Sequence, residues 1–342
     1  MAYGAVSRGI KLNGGNSTII VAASNSRLKT RADYVCDGTA DEVQINQAIN
    51  ALPSTGGEVH LLDGTFNTGS SIIMRNSVTL SGLGDSTVIV PVSGIRGSVY
   101  GNLLEYLIIR DIKITRTRSV DYLNTDGSSG IFLFNCGHSI IERCHISGNT
   151  IGIEILGGDA KIINNVAGSN DWYGILINQN SGSVVSENTA ENNGYYGIYF
   201  YFTYFCKALG NRTNVSGSHG INMDSGYSNI ISNNHVMSSG TMFAGLTGYG
   251  ILCYRSLNNV ISNNLCYNSS GLDGIRVSGV SPLNRSQDNV VVGNRCYTNG
   301  RYGISASADT DRTIILGNNC TGNTTGSIAD FAANSEVAHN VV

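Results

Sequence analysis

The sequence predicts an all-β solenoid, a chain that coils through short strands. Three observations carry this. Glycine makes up 43 of 342 residues, while proline makes up 3 and charged residues 13%, about half the usual ~25%. Apolar residues alternate in short stretches with the period of a strand. A Gly-Ile pair also returns, mostly every 22–23 residues, from Gly130 to Gly303.

The same composition excludes other classes. A hydrophobic content of 41% is too high for a disordered chain. The glycines have no three-residue period, so the chain is not collagen. A net charge of −3 leaves no cationic footprint for nucleic acid or an anionic membrane. No apolar run is long enough for a transmembrane helix. Residues 1–15 lack the charged start and apolar core of a secretory signal, so either export does not use that route or the chain begins after a signal. The eight cysteines form no C-x-x-C pair and are expected to be free, buried thiols.

The repeat defines each element. The pairs start at Gly130, Gly152, Gly174, Gly197, Gly220, Gly250, Gly274 and Gly303. Two positions after each Ile stands Leu133, Ile155, Ile177, Phe200, Met223, Cys253, Val277 or Ala306. That alternation marks a short strand with one buried face. A second column, about 14 residues after the Gly, holds Cys144, Asn165, Asn188, Asn211, Asn234, Asn264, Asn294, Asn319 and Asn340. Apolar pairs such as Ile162-Ile163 and Val290-Val291 precede it. Each unit thus has three strands and an Asn corner. Asn suits a turn because it bonds local backbone and tolerates left-handed φ. In register, the amides can bond from coil to coil.

Near the N-terminus, Thr39-x-x-Glu42 predicts a capping box. Ile45, Ala48, Ile49 and Leu52 follow on one helical face, so a helix is expected over about 40–52. It would cover the open end of the solenoid. Asp37 and Asp41 are expected as turn and cap residues. Residues 17–23 are candidates for a further strand.

The order of helix, Gly56-Gly57-Glu58-Val59-His60-Leu61, Asp63-Gly64-Thr65-Phe66, Ser77-Val78-Thr79-Leu80 and Asn-marked coils resembles the right-handed parallel β-helix of the pectate-lyase and polygalacturonase superfamily. The resemblance covers roughly residues 33–342. It implies a three-sheet solenoid with an Asn ladder, a capping helix and coils over about 57–342, after an N-terminal segment at 1–32. It also implies a polysaccharide cleft on the outer face of the Gly-Ile sheet.

Outward positions on that sheet can be written from the repeat, because stacked coils lie ~4.8 Å apart. They gather Tyr199, Tyr201, Asn222, Asp224, Tyr254 and Arg276, with Glu154 further along. The position before each Gly adds Tyr173, Tyr196, His219, Tyr249 and Asp273, and Trp172 stands beside them. The longest loops, at 116–129, 238–249 and 279–287, flank this face. Aromatic faces with polar neighbours suit sugar rings. A column of rings at a corner can equally be a structural stack.

A glycosidase needs two carboxyl groups within ~5–9.5 Å. Glu154 and Asp224 are three coils apart, about 14 Å, and the adjacent Asp-Asp pair of polygalacturonases is absent. Uronate lyase or C5-epimerase chemistry needs a base at the proton beside the carboxylate and a cation on that carboxylate. His219, Tyr201 or Tyr254 are expected as base or acid, Arg276 with Asn222 as carboxylate holder, and Asp224 as an orienting group. Tyr196, Tyr199, Tyr249, Trp172, Asp273 and Glu154 are expected to bind substrate. No cofactor is required, although Ca²⁺ at Asp224 is possible. The expected partner is a polysaccharide, with neither nucleic acid nor membrane. The alternatives are a non-enzymatic glycan-binding β-helix, such as an adhesin or phage tail fibre, and a glycoside hydrolase. The absent signal suits a virion-associated or extracellular product, and the resemblance implies a possible homotrimer.

Overall fold

The computed structural model describes residues 17–116, 128–240, 247–280 and 285–342. It is a right-handed parallel β-helix. Each coil has three strands, as in Tyr173–Asn178, Val184–Ser186 and Thr189–Glu191. The first strands of successive coils form one parallel sheet of eleven, from Ile72–Ile73 to Gly326–Asp330. Its register runs Ile153, Ile175, Ile198, Ile221, Ile251, Ile275, Ile304. All of these side chains are fully buried. With the parallel row Ile155, Ile177, Phe200, Met223, Cys253, Val277 and Ala306, two stacked apolar rows line the inside of this sheet. All eight cysteines are free and buried in this core, the small-hydrophobe role expected of them.

Asn holds the corners. The Asn188 amide donates to Asn211 Oδ1 at 3.0 Å and to the Ile162 carbonyl at 2.8 Å, and the backbone N–H of Asn188 donates to the same Oδ1. This pattern runs through Asn165, Asn188, Asn211, Asn234, Asn264, Asn294, Asn318 and Asn340. The seventh rung is Asn318, not Asn319. The ladder position lies three residues after the inward Ile315, as Asn294 lies three after Val291, so counting from Gly303 alone misplaces it. Two further ladders were not foreseen. Asn170 bonds Asn193 at one corner, and Asn229, Asn259 and Asn289 bond in series at another.

The helix Glu42–Ala51 buries Ile45, Ala48 and Ile49 against the first coils. The predicted capping box does not form. The Glu42 carboxylate instead accepts from the Gly69 N–H at 2.8 Å and the Ser70 hydroxyl at 3.1 Å. Asp41 caps no helix N–H with its side chain; its carboxylate accepts from the Gly38 and Asn67 N–H groups. Both acids thus tie the helix to the coil it covers, a stronger demand here than capping the helix itself. Residues Thr18–Ala22 do form a strand, parallel to Gly57–Leu61 and Tyr34–Val35.

Candidate functional site

The outer face of the Gly-Ile sheet is set by strand alternation. In register across neighbouring strands lie Leu176, Tyr199, Asn222 and Leu252, and beside them Asn178, Tyr201, Asp224 and Tyr254. Tyr201, Asp224 and Tyr254 therefore sit in one row. Arg276 continues the other row, after Leu252. His219 lies at the opposite end of its strand from Asp224, about 16 Å along the backbone. The structure brings Tyr199, Tyr201, Asp224 and Tyr254 together and leaves His219 and Arg276 apart from them.

Tyr173, Tyr196, His219 and Tyr249 form a continuous stack, with centroids 5.4, 5.0 and 5.2 Å apart. Trp172 packs edge-on against Tyr173. The first two tyrosines begin strands rather than standing in the preceding loops. His219 Nδ1 accepts the Tyr249 backbone N–H at 3.2 Å, so its proton resides on Nε2. Burial pushes the imidazole down to about 4 and the Tyr173 hydroxyl up to about 12. Burial raises Tyr196 further. His219 is therefore neutral at pH 7, and the ring spacings are those of packed aromatic pairs.

Each carboxylate of the face is held by an arginine. Arg96 grips Glu154 with two bonds of 2.6 and 2.7 Å. Arg301 grips Asp273, whose side chain has no exposure, with Ser305 and the Tyr302 N–H completing its shell. Arg276 donates to Ser305 at 2.9 Å and lies 3.8 Å from Asp273. Glu154 and Asp273 are therefore each buried against an arginine whose own side chain reaches solvent. Arg276 is turned toward Ser305 and Asp273 and pairs with no carboxylate of the Tyr201–Asp224–Tyr254 row.

The arginine of that row is Arg255, which pairs with Asp224. Its Nε lies 3.0 Å and its Nη2 2.7 Å from the Asp224 carboxylate, and its guanidinium lies 4.8 Å from the Tyr254 ring centroid. The hydrogen bonds to Asp224 raise its pKa against desolvation, with smaller help from the Asp224 charge and from Tyr254 and Tyr201. Desolvation first, and then the Asp224 charge, push the Tyr199 hydroxyl upward, so Tyr199 stays a proton donor. Two acceptors beside this group have no partner: the buried Oδ1 atoms of Asn178 and Asn222. They are adjacent in register to Tyr201 and Tyr199. Arg255 and Arg96 were missed because they lie on turns, 31 and 58 residues from their carboxylates. The only signal was a basic residue directly after the outward Tyr254.

Residues 117–127, 241–246 and 281–284, with the Asn124-Thr125-Asp126-Gly127 segment, lie outside the described residues. No group of three or more His, Cys, Asp or Glu converges to hold a metal ion among the described residues.

Comparison with known proteins gives a family and a fold. The family model described as periplasmic copper-binding protein (NosD) matches residues 64–237 and 111–281. No curated protein sequence matches. Among solved structures, the A-module of mannuronan C-5 epimerase AlgE6 from Azotobacter vinelandii has a TM-score of 0.69 at 20% identity, covering 89% of this chain and 96% of that one. The surface adhesin PfbA of Streptococcus pneumoniae has a TM-score of 0.71 at 12% identity, covering 89% and 90%. The Dettilon tailspike protein has a TM-score of 0.65 at 15% identity, covering 91% and 68%. At these identities the likeness shows the fold, and function has to be argued from the site.

Proposed function

The chain belongs to the NosD family, and we propose that it acts on an acidic, uronate-containing polysaccharide bound along the outer face of its Gly-Ile sheet. The observation that carries this is the group of Tyr199, Tyr201 and Tyr254 around the Asp224–Arg255 pair, beside two unpartnered Asn acceptors. Arg255 meets the sugar carboxylate with the Nη1 edge that Asp224 does not use, while Asp224 fixes the guanidinium plane. Tyr201 and Tyr254 flank that point from neighbouring strands. One acts as the base that takes the C5 proton, and the electrons move into the carboxylate that Arg255 stabilises. The other donates: to the departing C4 oxygen for elimination, or back to the opposite face of C5 for epimerisation. The epimerase and tailspike neighbours support a carbohydrate substrate through fold likeness alone.

Copper, in the family's description, calls for thioether, thiolate or imidazole donors. The core thiols of Cys144 and Cys253 are pushed up to about 12 by burial and face no solvent. His235 and Met237 share the outer face of one strand, but the Tyr267 hydroxyl already occupies both, 3.2 and 3.4 Å away. Arg212 stands in register beside His235 and opposes a cation. The described residues do not fit a copper site, and no step here uses one.

Incubation with pectate and alginate in deuterated water tests the reading. Unsaturated product, or deuterium at C5, is expected, and Arg255→Gln should lower the rate at least about 100-fold. Neither product nor exchange from any uronate polymer would sink it. A binding-only role is the second reading. It is favoured by one observation: all three carboxylates of the face are tied to arginine. Uronate binding without exchange selects it.

A further inference from the structure

Beyond the strand ends, at the corner that follows Asp224, lies a groove of about 340 Å³. Phe202, Tyr204, Tyr227 and Leu257 line it, with Arg255 at its edge. Tyr204, Tyr227 and Leu257 follow one another in register through parallel bridges, so they present a floor about 10 Å long. Tyr204 and Tyr227 rings lie 6.5 Å apart, and Phe205 meets Tyr227 edge-on at 6.1 Å. None of these rings belongs to the Tyr173–Tyr249 stack.

Folding does not explain the rings. Phe202, Tyr204 and Phe205 are 39%, 46% and 58% exposed. Phe202 and Phe205 also adopt left-handed φ of 50° and 54°, a conformation that bulky residues rarely take. The equivalent slots in neighbouring coils hold residues suited to it: Asn135, Gln179 and Ser225 for the first, His138, Ser228 and Asn258 for the second. Other bulky occupants are Leu103 and Arg255 in the first slot and Tyr106 and Arg312 in the second. Two aromatics thus accept backbone strain to stand in water beside a groove. Strain of this kind gathers at ligand sites.

We infer that this corner groove is a carbohydrate subsite, in which sugar rings stack on Phe202, Tyr204 and Tyr227 and a carboxylate of the chain meets Arg255. It rests on the acidic-glycan reading above and extends the substrate path from the sheet face around the corner. The apolar faces of sugar rings match the aromatic floor. Arg255 is shared between groove and sheet face, which makes the path continuous. A neutral sugar chain would use the floor but leave the arginine edge unanswered.

Calorimetric titration of the full chain with galacturonate and mannuronate oligomers, and with a neutral glucan oligomer, is the test. Uronate oligomers should bind more tightly than the neutral one. Tyr204→Ala and Tyr227→Ala should each weaken binding about tenfold without lowering the melting temperature. Phe202→Asn, which restores the residue type that suits left-handed φ, should weaken binding while keeping or raising the melting temperature. Unchanged affinity in the Tyr204→Ala/Tyr227→Ala double variant would overturn the groove and leave the sheet-face reading standing. So would a Phe202→Asn protein that melts lower yet binds normally. Loss of binding in these variants, with no C5 exchange in the wild type, supports the groove while the proposed reaction falls. No binding of any oligomer by the wild type overturns both.

Discussion

The Asn corners and the outer face of the Gly-Ile sheet share one coil-to-coil spacing and use it in opposite ways. Along the longest ladder one residue type repeats, and each amide from Asn165 to Asn318 donates to the next Asn. On the outer face no residue type repeats, ion pairs differ from coil to coil, and the Asn178 and Asn222 acceptors stay open. Repetition in a solenoid thus reports what holds the coils together. Its interruption marks the face on which we propose that a ligand is met.

Four measurements break or sharpen that contrast. The largest effect is expected at the corner. Asn211→Ala removes an acceptor from Asn188 and donors to Val185 and Asn234, all buried. It should cost about 4 kcal/mol in denaturant unfolding, since several buried groups lose partners together. A loss below about 1 kcal/mol would mean the ladders contribute little.

Next is the aromatic stack. Unfolded His219 binds its proton near pH 6.5, and folded His219 only near pH 4. Stability should be full above pH 6.5, fall as pH drops toward 4, and level off below. The fall is up to about 3 kcal/mol, less wherever solvent reaches the ring. His219→Gln should flatten that part of a pH–stability profile. An unchanged profile would show that the ring is not desolvated.

On the face itself, Asp224→Asn should cost about 2 kcal/mol, because its Arg255 partner is partly solvated. It should also loosen the guanidinium and lower uronate affinity, read by calorimetry in parallel with thermal melting. Stability loss with unchanged affinity would assign the pair to the scaffold alone. The smallest effect is expected at Asp85, 71% exposed in its contact with His145. Asp85→Asn should leave the melting curve where it was.

The fold was legible because its determinants are local and repeated. Gly-Ile spacing located the strands, and period-two alternation located the core. The mistakes came where a residue answers to something other than the repeat. Glu42 reads as a capping residue from its spacing to Thr39, yet it serves Gly69 and Ser70 in the next coil. Asn318 and Asn319 are indistinguishable until the inward Ile315 is used as the reference. The site was half legible. Tyr201, Asp224 and Tyr254 share a column that the sequence spells out. Their arginine does not, because Arg255 sits on a turn, and the orientation of a turn side chain depends on the three-dimensional neighbour it finds. The aromatic groove was hidden for the same reason. Phe202 and Phe205 look like core residues until their left-handed backbone turns them outward.

The parallel ladders also set how the molecule answers a pulling force. Their hydrogen bonds run along the long axis, and consecutive coils touch mainly their immediate neighbours. Tension applied between the chain ends would peel one coil at a time instead of shearing a whole sheet. Each released coil of 22–23 residues would lengthen the chain by about 75 Å. A force–extension trace should therefore be a staircase, and its steps should be tallest where the Asn rungs are unbroken.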